Sequence, residues 1–358
     1  METNNNKISY ETLWKFIIRP PKDEYDEDLL GNIIFTYKHK QYQRKDYDLI
    51  SSEGYIMKCS FVEPVDAFRP TIEMPIVLYL HGNSSSRLEG LNNLEILLNH
   101  NINLFVIDFP GCGLSEGEYI SLGYHEKDDV KILVDFIENL PGVGKIGLWG
   151  RSMGAATTLL YANTDPRISA ICVDSPFEDF KKLAEELVVK QIKLPKFIID
   201  GALKIVQGTV KKKNGLDIYK LRPIDKVSTT YQPALFIHAI NDELINIEHS
   251  INLFNNYGGP KSLKCCDKGG HRPCAHRPQL LLRPVLPGTG GGGGLLGPGL
   301  LPGGGDLRPQ RVLSEHQPPD APGGAGPILQ GRQPERGRHR PLRRGPPAPG
   351  GHGGGIPG

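Results

Sequence analysis

The segment Ile146-Gly147-Leu148-Trp149-Gly150-Arg151-Ser152-Met153-Gly154-Ala155-Ala156 limits what this chain can fold into more than any other. A short apolar run is followed by Gly-x-Ser-x-Gly and then by small, helix-forming residues. This order predicts a strand that turns sharply into a helix, with Ser152 at the tip and its hydroxyl exposed. Gly150 and Gly154 carry no Cβ, so the turn can be tight and the strand and helix can approach closely. Gly-x-Ser-x-Gly alone is common. The strand before it and the helical run from Ala155 to Tyr161 after it make Ser152 a candidate nucleophile rather than an inert turn serine.

The rest of the chain supplies the setting for such a turn. Residues 42–62 alternate in the strand manner around Ser51-Ser52-Glu53-Gly54, an antiparallel hairpin signal. Ile76-Val77-Leu78-Tyr79-Leu80 is a continuous apolar run, Leu91 to Leu98 reads as helix, and Ile102 to Ile107 reads as a second buried strand. Over residues 124–140, Val130, Leu133, Phe136, Ile137 and Leu140 fall at helical spacing. Ile168 to Val173 and Ala234 to Ile240 are further strands. Ile247, Ile251 and Phe254 share a helix face, and Lys261 to Cys266 is a candidate last strand. Buried strands alternating with helices predict a mostly parallel sheet covered on both faces.

Residues 177–230 break this rhythm. Leu183, Leu187, Val188 and Ile192 form one helical face, Pro195 interrupts, and Phe197 to Val210 forms a second. An insertion of this kind between two core strands reads as a helical cap. Its lysines, among them Lys190, Lys204 and Lys211 to Lys213, read as a solvated face, with attraction to an acidic substrate or membrane surface as the alternative.

Residues 1–40 are a polar leader with one apolar patch, Leu13 to Ile18, expected to pack on the domain; the alternative is contact with a membrane surface. The first residues have neither a basic nor a long apolar region of the secretory kind. No apolar run is long enough to span a bilayer, so the expected location is cytoplasmic. A net charge of +2 over 358 residues gives no nucleic-acid footprint. The six cysteines (Cys59, Cys112, Cys172, Cys265, Cys266, Cys274) show no metal-ligand spacing and read as reduced thiols. From Gly269 the composition changes abruptly: the last 90 residues hold 25 glycines and 17 prolines and no Lys, Asn, Met, Phe, Tyr or Trp. Such a tail cannot bury enough apolar surface to offset its ordering entropy and is expected to be disordered.

A serine hydroxyl needs a histidine to take its proton and a carboxylate to hold that histidine in the right tautomer. After a strand-turn-helix nucleophile the acid and then the histidine follow in chain order, on loops at the carboxyl end of the sheet. The strand from Ala234 runs into Asn241-Asp242-Glu243, which makes Asp242 the candidate acid and Glu243 the runner-up. The loop after Cys266, Asp267-Lys268-Gly269-Gly270-His271, offers His271 as the base, with His276 as the alternative. His238 lies within an apolar strand and reads as a core histidine. The developing oxyanion needs backbone donors. Met153, directly after the serine, offers one amide. The His81-Gly82-Asn83 loop offers the other, through Asn83 or else Ser84, and His81 reads as structural because it precedes the serine. The glycines of Asp108 to Gly117 lack the Lys-Ser/Thr ending of a phosphate loop and read as lining the mouth of the site.

With these residues in place, the chain resembles the α/β-hydrolase superfamily and, more narrowly, the Bem46-like and serine-aminopeptidase-like hydrolases of plants and protists. The matching pieces are His81-Gly82-Asn83-Ser84-Ser85, Asp108 to Gly117, Ser121 to Asp129, Leu148 to Ala155, Ile192 to Phe197, Pro233 to His238 and Asn255 to Gly259. The resemblance implies Ser152 as nucleophile, Asp242 as acid partner and His271 as base. It departs after His271. Relatives continue with Asn, two small residues and Arg-Pro-Gln; here Arg272-Pro273 follows at once and Arg277-Pro278-Gln279 comes two residues late. The expectation is an α/β-hydrolase domain over residues 41–285, with the leader 1–40 before it, the cap at about 177–230 within it and the tail 286–358 after it. The expected activity is cleavage of a small-molecule acyl ester or thioester through an acyl-enzyme, without cofactor or metal. A serine peptidase acting on a peptide substrate, or a non-catalytic interaction protein on the same fold, is the alternative.

Overall fold

The computed structural model describes residues 10–191, 196–266 and 270–271. Among the described residues nine strands form one sheet: β1 (Ile34–Tyr37), β2 (Lys40–Ile50), β3 (Ile56–Pro64), β4 (Met74–Leu80), β5 (Asn103–Ile107), β6 (Val143–Arg151), β7 (Ile168–Asp174), β8 (Ala234–Ala239) and β9 (Lys261–Cys266). Their order is β1-β2-β3-β5-β4-β6-β7-β8-β9. The first three are antiparallel to their neighbours, and from β5 onward every pairing is parallel. The chain steps from β4 to β5 on one side and then returns to β6 on the other. The strand order therefore reverses beside β4, and its carboxyl end faces that of β6, with Leu80 paired to Gly150. In open α/β sheets such a switch point leaves a crevice where ligands bind.

Both faces of the sheet are covered, and the side chains alternate accordingly. Ile76, Leu78 and Leu80 of β4, Phe105 and Ile107 of β5 and Leu148 of β6 enter the larger core. Tyr79, Leu104, Val106 and Trp149, the residues between, enter a smaller core on the other face. This two-sided burial is why these strands read as unbroken apolar runs.

The helices are α1 (Tyr10–Ile18), α2 (Arg87–Leu91), α3 (Leu94–Leu98), α4 (Glu126–Glu138), α5 (Met153–Tyr161), α6 (Phe180–Gln191), α7 (Lys196–Asn214), α8 (Ile224–Val227) and α9 (Ile247–Asn256). Every residue of α5 is buried, as expected of a helix that is apolar all round. Its two threonine hydroxyls bond back to the carbonyls of Met153 (2.8 Å) and Gly154 (2.9 Å), so neither is left unpaired.

Two expected boundaries are corrected. The leader does not end at residue 40 as a separate piece: β1 already pairs with β2 from Ile34 onward, and Trp14, Ile17 and Ile18 of α1 lie in the larger core. These three residues of the apolar patch thus pack on the domain, while Phe16 is exposed; the Lys213 amine lies 4.5 Å from the centre of the Trp14 ring. The helix expected over Leu91 to Leu98 begins only at Leu94, as α3; Leu91 is the last residue of a preceding short helix, α2, and Asn92-Asn93 separate the two. The insertion between β7 and β8 is helical, as expected. Leu183 and Ala184 of α6 and Leu203, Val206 and Val210 of α7 join the larger core. Helix α6 and the segment just before it are also tied to α9: His249 meets Glu186 of α6 at 3.2 Å, and Asn252 donates to Glu178, two residues before α6, at 3.1 Å. The expected disordered tail, His276 and Cys274 lie outside the described residues.

Candidate active site

The turn between β6 and α5 is built as its sequence predicts. Ser152 stands between Arg151 and Met153 with φ +50° and ψ −112°. This is outside the helical, extended and left-handed wells, in a region a non-glycine residue occupies only under constraint. The two flanking glycines make the constraint possible. A Cβ on Gly150 would lie 2.1 Å from the Gly154 carbonyl oxygen, and one on Gly154 would lie 2.0 Å from that of Leu80. The latter contact presses the helix start against the end of β4. The Ser152 N–H donates to the Asp174 carbonyl at 2.8 Å and so fastens the turn to β7. The residue is 7 % exposed, less open than a bare turn tip, because His271 lies against it.

His271 bridges the other two candidates. Its Nε2 lies 3.1 Å from Ser152 Oγ and its Nδ1 lies 2.9 Å from Asp242 Oδ2. Nδ1–H donates to the carboxylate, which leaves the Nε2 lone pair facing the serine hydroxyl. Asp242 follows β8 and is anchored by its other oxygen, which accepts from the N–H groups of Leu244 and Ile245, both at 2.9 Å. Burial raises the Asp242 pKa, but hydrogen bonds from His238, His271 and the Ile245 N–H outweigh it and hold the carboxyl well below the usual range. Glu243, the runner-up, is exposed, and the carboxylate that meets His271 is that of Asp242. His276 cannot be placed, since it lies outside the described residues.

His238 is a buried core residue. Ser250 Oγ lies 2.6 Å from its Nδ1 and the Ile245 carbonyl lies 2.9 Å from its Nε2. It also flanks Asp242 Oδ2 at 3.5 Å, so it helps to seat the acid. His81 is fully buried, with the Gly82 carbonyl 2.7 Å from its Nδ1 and the Phe109 N–H 3.1 Å from its Nε2. Both ring nitrogens are therefore engaged within the fold.

Met153 is the first residue of α5, so its N–H has no intrahelical acceptor. Asn83 lies in the loop that follows β4, and Ser84 has a positive φ of 56°. The Asp108 to Gly117 loop is closed on itself. The amides of Gly111, Cys112 and Ser115 donate to carbonyls within the loop, and the Leu114 amide donates to Asp108 at 3.0 Å. A loop whose amides are already used has few left to cradle a phosphate. Among the described residues no cluster of His, Cys, Asp and Glu could hold a metal ion, and no helix is long and apolar enough to cross a membrane.

Three buried charged groups around the turn escaped the sequence reading. Arg151 Nη1 pairs with Glu89 Oε2 at 2.9 Å, with both side chains buried. Asp174, at the end of β7, lies beside them; burial pushes its carboxyl up to about 6, against the pull of Arg151. Arg151 stands in the turn motif itself, and a buried arginine there demands a partner. Glu89, however, is 62 residues upstream with no local pattern to mark it.

Comparison with known proteins agrees with this fold. Residues 75–198 match the family described as the alpha/beta hydrolase fold. The chain is 28% identical over 259 residues to the uncharacterized protein YqkD of Bacillus subtilis, covering 70% of this chain and 82% of that one. It is 23% identical to the alpha/beta hydrolase domain-containing protein WAV2 of Arabidopsis thaliana, covering 59% of this chain and 65% of that one. Among solved structures it is similar to the Pyrococcus furiosus esterase Pf2001, with TM-score 0.54, 20% identity, and 73% of this chain and 94% of that one covered. It is also similar to an acetyl xylan esterase from Paenibacillus, with TM-score 0.54, 15% identity, and 74% and 95% covered.

Proposed function

Since the chain belongs to the α/β-hydrolase superfamily, we propose that it is a serine hydrolase that cleaves an ester or thioester through an acyl-enzyme. The observation that carries this reading is the hydrogen-bonded series Ser152–His271–Asp242 at the carboxyl end of a parallel sheet. His271 Nε2 takes the Ser152 proton as Oγ attacks the acyl carbonyl. The negative charge that develops on the carbonyl oxygen is received by the Met153 and Asn83 amides. His271 then gives its proton to the departing alcohol or thiol, and Asp242 stabilises the imidazolium between the two transfers. Water, activated by the same imidazole, breaks the acyl-serine bond and releases the acid. Every group this chemistry requires is a protein side chain or amide, so the reading invokes neither metal nor cofactor.

The acyl-ester preference is supported by the fold shared with solved proteins named as esterases and by the apolar residues of the inserted helices. Lys190 of α6 donates to the Glu243 carbonyl at 3.1 Å, which ties this insertion to the loop that carries Asp242. The test is labelling by a fluorophosphonate probe together with turnover of short p-nitrophenyl esters and aminoacyl p-nitroanilides. Labelling and ester turnover that both vanish in Ser152→Ala are expected. Anilide turnover in excess of ester turnover would replace the esterase reading with a peptidase. A folded protein that neither labels nor turns over either substrate would overturn the enzyme reading altogether.

A further inference from the structure

We propose that the buried Glu89–Arg151 ion pair is a positioning device that holds the oxyanion loop, the serine turn and the histidine loop in register. The proposal rests on the triad reading above. Each arm of the pair reaches a different loop. Arg151 precedes Ser152 and gives Nη1 to Glu89 Oε2 at 2.9 Å. Its other terminal nitrogen, Nη2, donates to the backbone carbonyl of His271. Glu89 turns its second oxygen to the Gly82 N–H at 3.2 Å and to the Tyr79 hydroxyl at 2.9 Å. A single guanidinium and a single carboxylate thus join the loop after β4, the turn after β6 and the loop that delivers the imidazole.

The geometry argues for this role over two others. Substrate binding by Arg151 is disfavoured because both terminal nitrogens are already engaged and the residue is 9 % exposed. Simple stabilisation is a poor reason for a buried ion pair, since well-packed apolar residues of similar volume commonly serve stability as well or better. The pair also requires its neighbour to be glycine: a Cβ on Gly82 would lie 2.9 Å from Arg151 Nη1. The guanidinium therefore lies directly against the backbone that leads to Asn83. A lysine in its place has one ammonium and cannot form a rigid fork to both the Glu89 carboxylate and the His271 carbonyl.

The test compares Arg151→Met, Arg151→Lys, Glu89→Gln and the apolar pair Glu89→Leu/Arg151→Met, each with its thermal midpoint measured. In Arg151→Met, kcat for a p-nitrophenyl ester is expected to fall about 100-fold with KM changed less than about threefold, the pattern of a lost catalytic geometry rather than lost binding. Arg151→Lys should recover only part of that loss. The apolar pair should return the thermal midpoint toward wild type and leave kcat low. An apolar pair with wild-type kcat, or Arg151→Met with unchanged kcat, would overturn the proposal. A second readout does not depend on turnover. The Nδ1–H of His271, hydrogen-bonded to Asp242, should give a downfield proton resonance, assigned by its loss in His271→Gln. It should survive in Ser152→Ala and be broadened or lost in Arg151→Met. An intact resonance in Arg151→Met would count against the positioning role even if no substrate were found, whereas inactive wild type with the expected loss would count only against the hydrolase reading.

Discussion

The strained backbone at Ser152 predicts that glycine should be more stable there than alanine. At φ +50° and ψ −112° a residue with a Cβ is held outside the populated wells, at a cost of about 1–3 kcal/mol. Ser152→Ala and Ser152→Gly both remove the hydroxyl and its 3.1 Å hydrogen bond to His271, so that loss cancels between them. Alanine keeps the Cβ and the strain, while glycine relieves it. Against this, glycine's additional conformational freedom in the unfolded chain costs about 0.5–1 kcal/mol. The net expectation is that Ser152→Gly exceeds Ser152→Ala by about 1 kcal/mol, which for a domain of this size is a thermal midpoint higher by about 2–4 °C. Calorimetry of the two inactive variants side by side measures it. A glycine variant no more stable than the alanine variant would refute the claim that the turn stores strain.

Other consequences can be measured separately. Gly154→Ala would place a Cβ 2.0 Å from the Leu80 carbonyl oxygen; since neither backbone can yield, a loss of about 3 kcal/mol in urea unfolding is expected. In Asp242→Asn the amide oxygen is held by the Leu244 and Ile245 N–H groups, so the NH₂ faces His271 and drives its proton onto Nε2; kcat should fall about 10⁴-fold with the fold retained on circular dichroism. Burial raises the Asp129 carboxyl to about 6, against hydrogen bonds from the Ser52 amide and hydroxyl. The folded state therefore binds the extra proton, and this carboxyl's contribution to stability falls as pH rises from about 4 to about 6. Asp129→Asn should gain on wild type by about 2–3 kcal/mol across that window, and parallel stability curves for the two proteins would contradict the assignment.

Where the fold could be read from the sequence, the signal was local. The strand-turn-helix at Ser152 is contiguous, its glycines are required by clashes within one turn, and the two-sided burial of β4 and β5 leaves unbroken apolar runs. Asp242 was legible for the same reason, since it directly follows an apolar strand. What escaped depends on distance or on the edge of the sheet. Strand β1 has only four residues, which alternate between exposed and half-buried rather than exposed and buried; its inward face is little more than Phe35 against the smaller core, too short an alternation to be recognised. The division between α2 and α3 falls at Asn92-Asn93, where Asn93 is buried and its side chain bonds back to the Glu89 carbonyl at 3.2 Å; a helical pattern continues across it, but the backbone does not. The Glu89–Arg151 pair spans 62 residues, and no periodicity connects its members.

The distribution of buried polar groups follows from the topology. At the switch point, the carboxyl ends of β4 and β6 must open into loops, and loops expose backbone groups that a sheet would have paired. Each of these loops is closed by a buried charged group instead. Asp108, after β5, accepts from the Arg87 amide (2.6 Å), the Tyr25 hydroxyl (2.7 Å) and the Leu114 amide (3.0 Å). Glu89 holds the loop after β4, Asp174 lies at the end of β7, and Asp242 anchors the loop after β8. Apolar side chains could stabilise such ends but could not fix the direction of an amide or an imidazole, which a charge-assisted hydrogen bond does. The concentration of these groups at one end of the sheet is thus what an arrangement of separately contributed catalytic parts requires. It also explains why replacing the Glu89–Arg151 pair with apolar residues should leave a stable protein whose parts no longer meet.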